Sequence, residues 1–211
     1  GRVSTGGWVT SAGGVGEVAE PATGRVMAAV GIADAQDVGL ATAAAAQEQK
    51  SWVQLAPREK AAVFQRAAAL FQQHFDELAL YVARETGAIL PKGQHEVREA
   101  ITLCHLAAAM PLQAQGQILP AAAGTTSLAV ISPSNFPLTL TLRAVAPALA
   151  AGNGVVIKPD SRTPVSGGFM IARVFEEAGL PAALLQVLPG DAAAGEALVT
   201  DARVPMIAFT G

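Results

Sequence analysis

The stretch Ser132-Pro133-Ser134-Asn135-Phe136-Pro137 stands between an apolar run at 127–131 and an amphipathic segment at 138–151. The junction between a strand, a turn and a helix is predicted from three features in succession: a run of strand-forming residues, a tight turn bounded by prolines, and a segment with helical spacing. This junction places Asn135 at the carboxyl end of the strand, where open α/β sheets bind their ligands. The turn is therefore the candidate functional site, and the sequence after it is interpreted as the sheet that supports it.

The second half of the chain repeats this strand–helix rhythm. Apolar runs at 127–131, 155–158, 184–188 and 206–209 alternate with helical segments at 138–151, 165–178 and 192–198. This order predicts parallel strands joined by right-handed crossovers, and continuous apolar runs are typical of strands buried on both faces. We therefore predict an α/β fold with an open, doubly wound parallel sheet whose core covers residues 127–211.

The first half of the chain is predicted to have a structural role. Two short strands around a Pro/Gly turn predict a β-hairpin at 15–32. Asp34 or Asp37 is then expected to cap an alanine-rich helix that ends at about Trp52. A second helix opens at Pro57, keeps one apolar face and ends near Gly87, and another runs from about 93 to 110. Residues 1–114 are thus predicted to be a hairpin followed by helices.

Composition excludes several classes of protein. The chain has 211 residues, of which 51% are hydrophobic and 15% charged, with a net charge of −3 and one cysteine. These values argue against a disordered chain, a nucleic-acid partner, a polybasic membrane anchor and a disulfide framework. The sequence shows no apolar span of membrane length and no signal peptide, so a cytoplasmic setting is expected. Because the chain starts at Gly1 and ends after an apolar run, we expect it to be a fragment.

Two glycine-rich motifs do not match known phosphate-binding loops. Gly152-Asn153-Gly154 precedes a strand, so it is not a dinucleotide-binding fingerprint. The turn at 190–195 has the two glycines of a P-loop, but Glu196 and Ala197 replace the required Lys and Ser/Thr. A P-loop NTPase is therefore rejected, which leaves an ordinary glycine-rich connection or a turn that approaches a ligand.

The remaining candidate residues divide into structural and functional ones. His95 and Glu96 lack the second histidine of a zinc protease motif, so a solvated helix start and no metal site are expected. Cys104 lies at core spacing, which predicts a buried thiol rather than a nucleophile. Lys158 ends an apolar strand and is followed by proline. It either reaches solvent or holds a cofactor hydroxyl or phosphate, and its expected place beside Asn135 favours the second interpretation.

Five segments, taken together, resemble the successive motifs of the aldehyde dehydrogenase superfamily. They are Ile131-Ser-Pro-Ser-Asn-Phe-Pro137, Ala146-Pro-Ala-Leu-Ala-Ala-Gly-Asn-Gly154, Lys158-Pro-Asp-Ser-Arg-Thr-Pro164, Gly179-Leu-Pro181 and Ile207-Ala-Phe-Thr-Gly211. Upstream, 20–24 is similar to the family's hairpin turn and 85–87 to its helix-end signature. Within the superfamily, the amino-acid sequence at 158–163 is most similar to that of bacterial benzaldehyde and vanillin dehydrogenases.

The resemblance implies a Rossmann-like cofactor-binding domain, an oligomerisation β-arm at 115–130 and a homodimer or homotetramer. It implies NAD(P)-dependent oxidation of an aldehyde, of the aromatic benzaldehyde type, to the carboxylic acid through a thiohemiacetal on a cysteine. The family's nucleophilic cysteine and general-base glutamate would both follow Gly211. These 211 residues are therefore expected to lack them, and Cys104 matches neither position.

Individual roles also follow from the resemblance. Asn135 matches the asparagine whose amide donates to the developing oxyanion. The positions matching cofactor-binding residues are Ile131, Ser132, Pro133 and Ser134 in the first turn, Lys158 at the adenosine ribose, Gly190 and Gly195 near the adenine and pyrophosphate, and Thr210 and Gly211 in a further phosphate-contacting turn. Ser161 replaces a glutamate that, in NAD-selective members, chelates the ribose diol. Since that repelling charge is missing, NADP is expected to be accepted as well as NAD.

Two other functions stay open from the sequence. A coenzyme A-acylating relative shares the Asn and Pro motifs and would release an acyl-thioester instead of an acid. If 211 residues were the whole product, the chain would be a cofactor-binding or interaction module without catalysis. The apolar strand at 206–209 argues against the module, because it would leave an unpaired sheet edge exposed.

Overall fold

The computed structural model describes residues 1–113 and 127–211. In chain order the strands are β1 Arg2–Ser4, β2 Trp8–Thr10, β3 Val15–Ala19, β4 Val26–Gly31, β5 Ser127–Ile131, β6 Gly154–Lys158, β7 Leu185–Val187 and β8 Met206–Phe209. The α-helices are α1 Ala35–Gln54, α2 Pro57–Gln73, α3 Phe75–Thr86, α4 Leu90–Ala109, α5 Pro137–Ala150, α6 Met170–Glu177 and α7 Ala192–Thr200. A 3₁₀ turn at Met110–Leu112 extends α4, and a π-helical turn at Val165–Phe169 precedes α6.

Two hairpins begin the chain. β3 pairs antiparallel with β4, as predicted from the Pro/Gly turn. The pairing of β1 with β2 was not predicted, because strands of three residues are too short to show alternation. This first hairpin packs beside β7, where the buried Gln186 Oε1 accepts hydrogen bonds from Ser4 Oγ at 3.0 Å and Gly6 N at 2.6 Å. These bonds cover one edge of the central sheet.

The helices of the first half follow the prediction with one correction. Asp34 is the N-cap of α1, and Asp37 completes a capping box by accepting from the Asp34 backbone. The helix expected to run from Pro57 to Gly87 is two helices, because the backbone leaves the helical region at His74 (φ −99°, ψ 20°). α3 ends at Gly87 in the left-handed conformation (φ 68°), which glycine adopts without strain.

The predicted parallel sheet is confirmed. Its strand order is β7-β6-β5-β8, and every neighbouring pair is parallel. In this register Ile131 lies opposite both Lys158 and Phe209. The carboxyl ends of the three strands β5, β6 and β8 therefore finish at the same level, and the loops that follow them meet at one edge.

Both faces of the sheet are covered, as a doubly wound fold requires. Leu128 and Val130 face a core built largely by α2, α4, α5 and α6. Ala129, between them, faces a second core with Ala41 of α1 and Leu198 of α7. Alternate side chains of β5 thus pack into the two apolar cores on opposite faces of the sheet. This explains why the sequence of the strand is a continuous apolar run at 128–131.

The outer edge of β8 stays exposed, with Met206 at 54% and Phe209 at 70%. The predicted arm at 115–130 lies outside the described residues except for 127–130, which belong to β5. Within 1–113 and 127–211, no helix combines the length and apolarity needed to cross a membrane.

Candidate functional site

The loops after β5, β6 and β8 enclose a groove of about 370 Å³, called here the sheet-edge groove. It is lined by Ile131, Ser132, Pro133, Ser134, Asn135, Lys158, Asp160, Arg162, Phe209, Thr210 and Gly211. Eight of the eleven residues singled out from the sequence are in this lining. The groove forms because the three strands end in register, and the Thr210 N–H continues that register by donating to Ile131 O at 3.1 Å.

Asn135 lies exposed at the mouth of the groove, two residues before α5 begins. Its Oδ1 accepts a hydrogen bond from Phe136 N at 3.0 Å. Because this bond engages the oxygen, the amide NH₂ is the end presented as a donor. The N-terminus of α5 adds the positive end of a helix dipole, so the turn favours negative charge on a bound oxygen atom.

Ser132 forms the inner wall of the sheet-edge groove. It is buried, and its N–H donates to Lys158 O at 3.3 Å, which ties the first loop to the second. Its hydroxyl has no hydrogen-bond partner within the described part of the chain. A buried hydroxyl left in this state is costly, and a bound polar ligand would satisfy it.

Lys158 is half-buried at the end of β6. Burial lowers the pKa of its ammonium group, and the negative charges of Asp160 and Asp191 oppose that effect. Its alkyl chain lies along the start of α7, where a Cβ added at Gly195 would be 3.6 Å from Lys158 Cδ. Lys158 and Asn135 therefore lie at one sheet edge, as expected, and Gly195 lies beside Lys158.

Asp160 and Arg162 are groove residues that sequence reasoning missed. Asp160 accepts from the Arg162 backbone and from its guanidinium in a forked pair, with Oδ1–Nε and Oδ2–Nη2 both 2.9 Å. The Arg162 hydrogen bonds lower the pKa of Asp160. Two opposite charges at i and i+2 after Pro159 were the available signal. Since they neutralise each other, Lys158 remains the dominant cation of the lining.

Ser161 and Gly190 lie in a second cavity of about 250 Å³ rather than in the sheet-edge groove. Its lining includes two acidic residues, Glu17 from the hairpin and Asp191, the N-cap of α7. At Gly190 an added Cβ would come 2.6 Å from Ala194 Cβ, so the turn stays tight only with glycine there. Of the eleven predicted residues, eight thus line the sheet-edge groove and two line the second cavity, while Gly195 lies next to Lys158.

The burial of Glu96 corrects a prediction, and the burial of Glu85 was not predicted. Glu96 was expected to be solvated, yet it is 0% exposed, pairs with Lys92 and accepts from Thr139 N at 3.0 Å. Glu85 is 1% exposed and accepts from the backbone at the start of the helical segment after β6. Burial raises the pKa of Glu85, and the hydrogen bonds from Ser166 and Val165 oppose the shift. Both glutamates sit on the apolar faces of their helices, which is the signal that could have revealed them.

Cys104 is buried in the core, and burial raises the pKa of its thiol to about 12. This agrees with the prediction of an inert thiol. The described lining of the groove contains no cysteine. In residues 1–113 and 127–211 no cluster of three His, Cys, Asp or Glu side chains is arranged to hold a metal ion.

The geometry fits the expected dinucleotide. Two cavities lie at the carboxyl edge of a parallel sheet, the place where such folds bind nucleotides. In the sheet-edge groove Lys158 offers a cation and Ser132 an unsatisfied buried hydroxyl, and in the second cavity Gly190 allows a close backbone approach. These groups match the needs of ribose hydroxyls, phosphates and an adenine ring.

Comparison with known proteins agrees with this architecture. The model of the aldehyde dehydrogenase family matches residues 8–211. A vanillin dehydrogenase from Amycolatopsis sp. is 49% identical over 100% of this chain and 45% of its own length, and a benzaldehyde dehydrogenase [NAD(+)] from Pseudomonas putida is 41% identical over the same shares. The crystal structure of an NAD-dependent benzaldehyde dehydrogenase from Corynebacterium glutamicum matches with a TM-score of 0.93 and 36% identity, over 100% of this chain and 49% of that one. The chain therefore spans about half the length of the curated relatives it matches.

Proposed function

The chain belongs to the aldehyde dehydrogenase family, and we propose that it forms the cofactor-binding part of an enzyme that oxidises an aromatic aldehyde to the carboxylic acid with NAD or NADP. The observation that carries the proposal is the meeting of Asn135 and Lys158 in one groove at the sheet edge. The similarity to vanillin and benzaldehyde dehydrogenases supports the aromatic substrate class.

The proposed role of Asn135 is to stabilise negative charge on the aldehyde oxygen. Its NH₂ group donates to that oxygen, while Phe136 N holds the other end of the amide. The dipole of α5 adds to the stabilisation, because the oxygen would lie near the helix N-terminus. Removing one such donor from an oxyanion hole typically lowers kcat by about 10²- to 10³-fold.

The other groove residues bind and orient the cofactor, which accepts a hydride when bound. In this proposal Lys158 donates to ribose hydroxyls, and Ile131, Ser132, Pro133 and Ser134 form the wall beside the nicotinamide half. Gly190 and Gly195 line the adenine and pyrophosphate end, and Thr210 and Gly211 face the phosphates. The nucleophilic cysteine and the general base come from residues outside these 211.

The proposal includes the use of NADP as well as NAD. Ser161 carries no charge to repel a 2′-phosphate, in contrast to the glutamate expected there in NAD-selective relatives. Glu17 and Asp191 line the same cavity, but both are exposed to solvent, which screens their charges. We therefore expect specificity constants of similar size for the two cofactors, and a preference for NAD of about a thousandfold would contradict this.

The test is a cofactor-reduction assay on the complete protein that contains these residues. Benzaldehyde and vanillin are compared with acetaldehyde at 340 nm, with and without coenzyme A, and the product is identified by mass spectrometry. The free aromatic acid is the expected product, and Asn135→Ala is expected to lower kcat by about 10²-fold with the cofactor KM nearly unchanged. Formation of an acyl-thioester, or no turnover of any aldehyde, would refute the proposal.

A further inference from the structure

The N-terminus of α5, beside Asn135, is capped by a residue from a distant helix. The first turn of a helix leaves backbone N–H groups without partners, and the residue at the N-cap, Phe136, makes no side-chain hydrogen bond to them. Glu96 of α4 supplies the missing acceptor, since its Oε2 lies 3.0 Å from Thr139 N, the third residue of α5. A buried carboxylate 43 residues away thus fixes where this helix starts.

The same stretch of α4 also holds Phe136 itself. Lys92 pairs with Glu96, and its ammonium lies 4.9 Å from the centroid of the Phe136 ring, within the range of a cation–π contact. The His95 ring meets the Phe136 ring edge-on at 6.5 Å. Because the Phe136 backbone orients the Asn135 amide, these contacts determine where that amide points.

A second buried glutamate does the same for the loop after β6. Glu85, near the end of α3, accepts from Val165 N at 2.9 Å, from Ser166 N at 2.7 Å and from the Ser166 hydroxyl. The local N-cap, Pro164, has no side-chain acceptor. The loop at 159–164, which carries Ser161 and Arg162, is therefore held at its far end by a residue of the N-terminal helices.

We propose that Glu96 and Glu85 are positioning residues with separate tasks, Glu96 for the Asn135 amide and Glu85 for the cofactor loop at 159–164. The inference rests on the proposed function of the groove. Neither carboxylate belongs to the lining of the sheet-edge groove, although Glu85 lines a neighbouring cavity of about 700 Å³ together with Asn135 and Ser161. Glu85 is 1% exposed there, and its carboxylate accepts from the Val165 and Ser166 backbone. Each acts through a helix start, and the two helix starts serve different parts of the site.

The separation of tasks predicts a split between kinetic constants. Glu96→Gln keeps the side-chain shape but removes the charge that holds Lys92 and the helix start. It is expected to lower kcat by about tenfold with the KM for NAD unchanged, because small displacements of a catalytic group are costly. Glu85→Gln is expected to raise the KM and the Kd for NAD by about tenfold with kcat nearly unchanged, because the loop beside Lys158 is loosened.

Matched controls come from the same helices. Glu99→Gln changes a partly exposed glutamate of α4, and Glu77→Gln changes one in α3 whose side chain is 81% exposed. Both are expected to keep wild-type constants and melting temperature. If a buried variant does not fold, Phe136→Leu removes the ring contacts and Ser166→Ala removes one donor to Glu85, with the same split on a smaller scale expected.

The experiment uses the complete enzyme, with steady-state kinetics on benzaldehyde and NAD, and NAD titration monitored by tryptophan fluorescence. A kcat effect confined to Glu96→Gln together with an NAD-affinity effect confined to Glu85→Gln supports the inference. Folded variants with wild-type constants, or both variants changing kcat and KM alike, overturn it. If the wild-type enzyme oxidises no aldehyde, the proposed function fails, and the NAD titration still tests the role of Glu85.

Discussion

Gly93→Ala tests how closely the two helices that carry Glu85 and Glu96 must approach each other. A Cβ at Gly93 would lie 2.1 Å from Ala79 O, 3.0 Å from Ala79 C and 3.3 Å from Ala83 N. All three are backbone atoms of α3, so no flexible side chain can move aside. To reach a normal carbon–oxygen contact distance, α3 and α4 would have to separate by about 1 Å. A gap of that size removes about a quarter to a half of the dispersion energy of each contact between the two helices.

The expected cost can be estimated from known terms. Overpacking a closed interface costs about 1–3 kcal/mol, and a Gly-to-Ala change inside a helix returns up to about 1 kcal/mol. The interface to be opened includes Val82 and Val97, both fully buried in the main core. Subtracting the second term from the first, we expect Gly93→Ala to lower the free energy of unfolding by about 1–2 kcal/mol.

Gly39→Ala is the matched control. It also changes a glycine inside a helix, but the added Cβ would meet only Arg203 Nη2, at an ordinary 3.6 Å. We expect a gain of about 0.5–1 kcal/mol, since only the helix propensity changes. Urea unfolding monitored by circular dichroism measures both variants. A Gly93→Ala protein as stable as the wild type, or equal shifts for the two variants, would refute the packing argument.

Three further outcomes are expected. Ser161→Glu should lower kcat/KM for NADP by about 10- to 100-fold and leave that for NAD unchanged, measured as the ratio of the two constants, and an unchanged ratio would show that this position does not select the cofactor. Cys104 should resist iodoacetamide in the folded protein, because burial raises its pKa to about 12, and peptide mapping before and after unfolding in urea checks this. The pKa of Asp201 is lowered to about 2, chiefly by its hydrogen bond with Arg203, so this carboxylate stabilises the fold above about pH 4 and the contribution is lost as the pH falls towards 2. Asp201→Asn should therefore cost about 1 kcal/mol in urea unfolding at pH 7 and less at pH 3, whereas an equal cost at both values would contradict the assignment.

The strand–turn–helix motifs made the sheet and its functional edge predictable. The strands from 127 onward are short and mostly apolar, and α5 and α6 are followed by the glycine signals Gly152 and Gly179, so the local sequence agrees with the global fold. The placement of Asn135 and Lys158 at one edge followed from parallel connectivity alone, since parallel strands finish on the same side. The break between α2 and α3 could not be predicted in this way, because no residue near His74 is a strong helix breaker.

The contacts that hold the site residues in place could not be predicted from local sequence. A glutamate in the first two turns of a helix, such as Glu96, is usually solvated, and only the packing of α4 against α5 turns it into a buried cap for a helix 43 residues away. One of the two acidic residues in the cavity at Ser161, Glu17, likewise comes from a hairpin far away in sequence. The amino-acid sequence by itself determined the family, the sheet and most of the residues that line the sheet-edge groove, because these depend on local patterns and short connections. Only the tertiary structure decided which backbone groups the buried Glu96 and Glu85 hold, because each contact joins segments that are far apart along the chain.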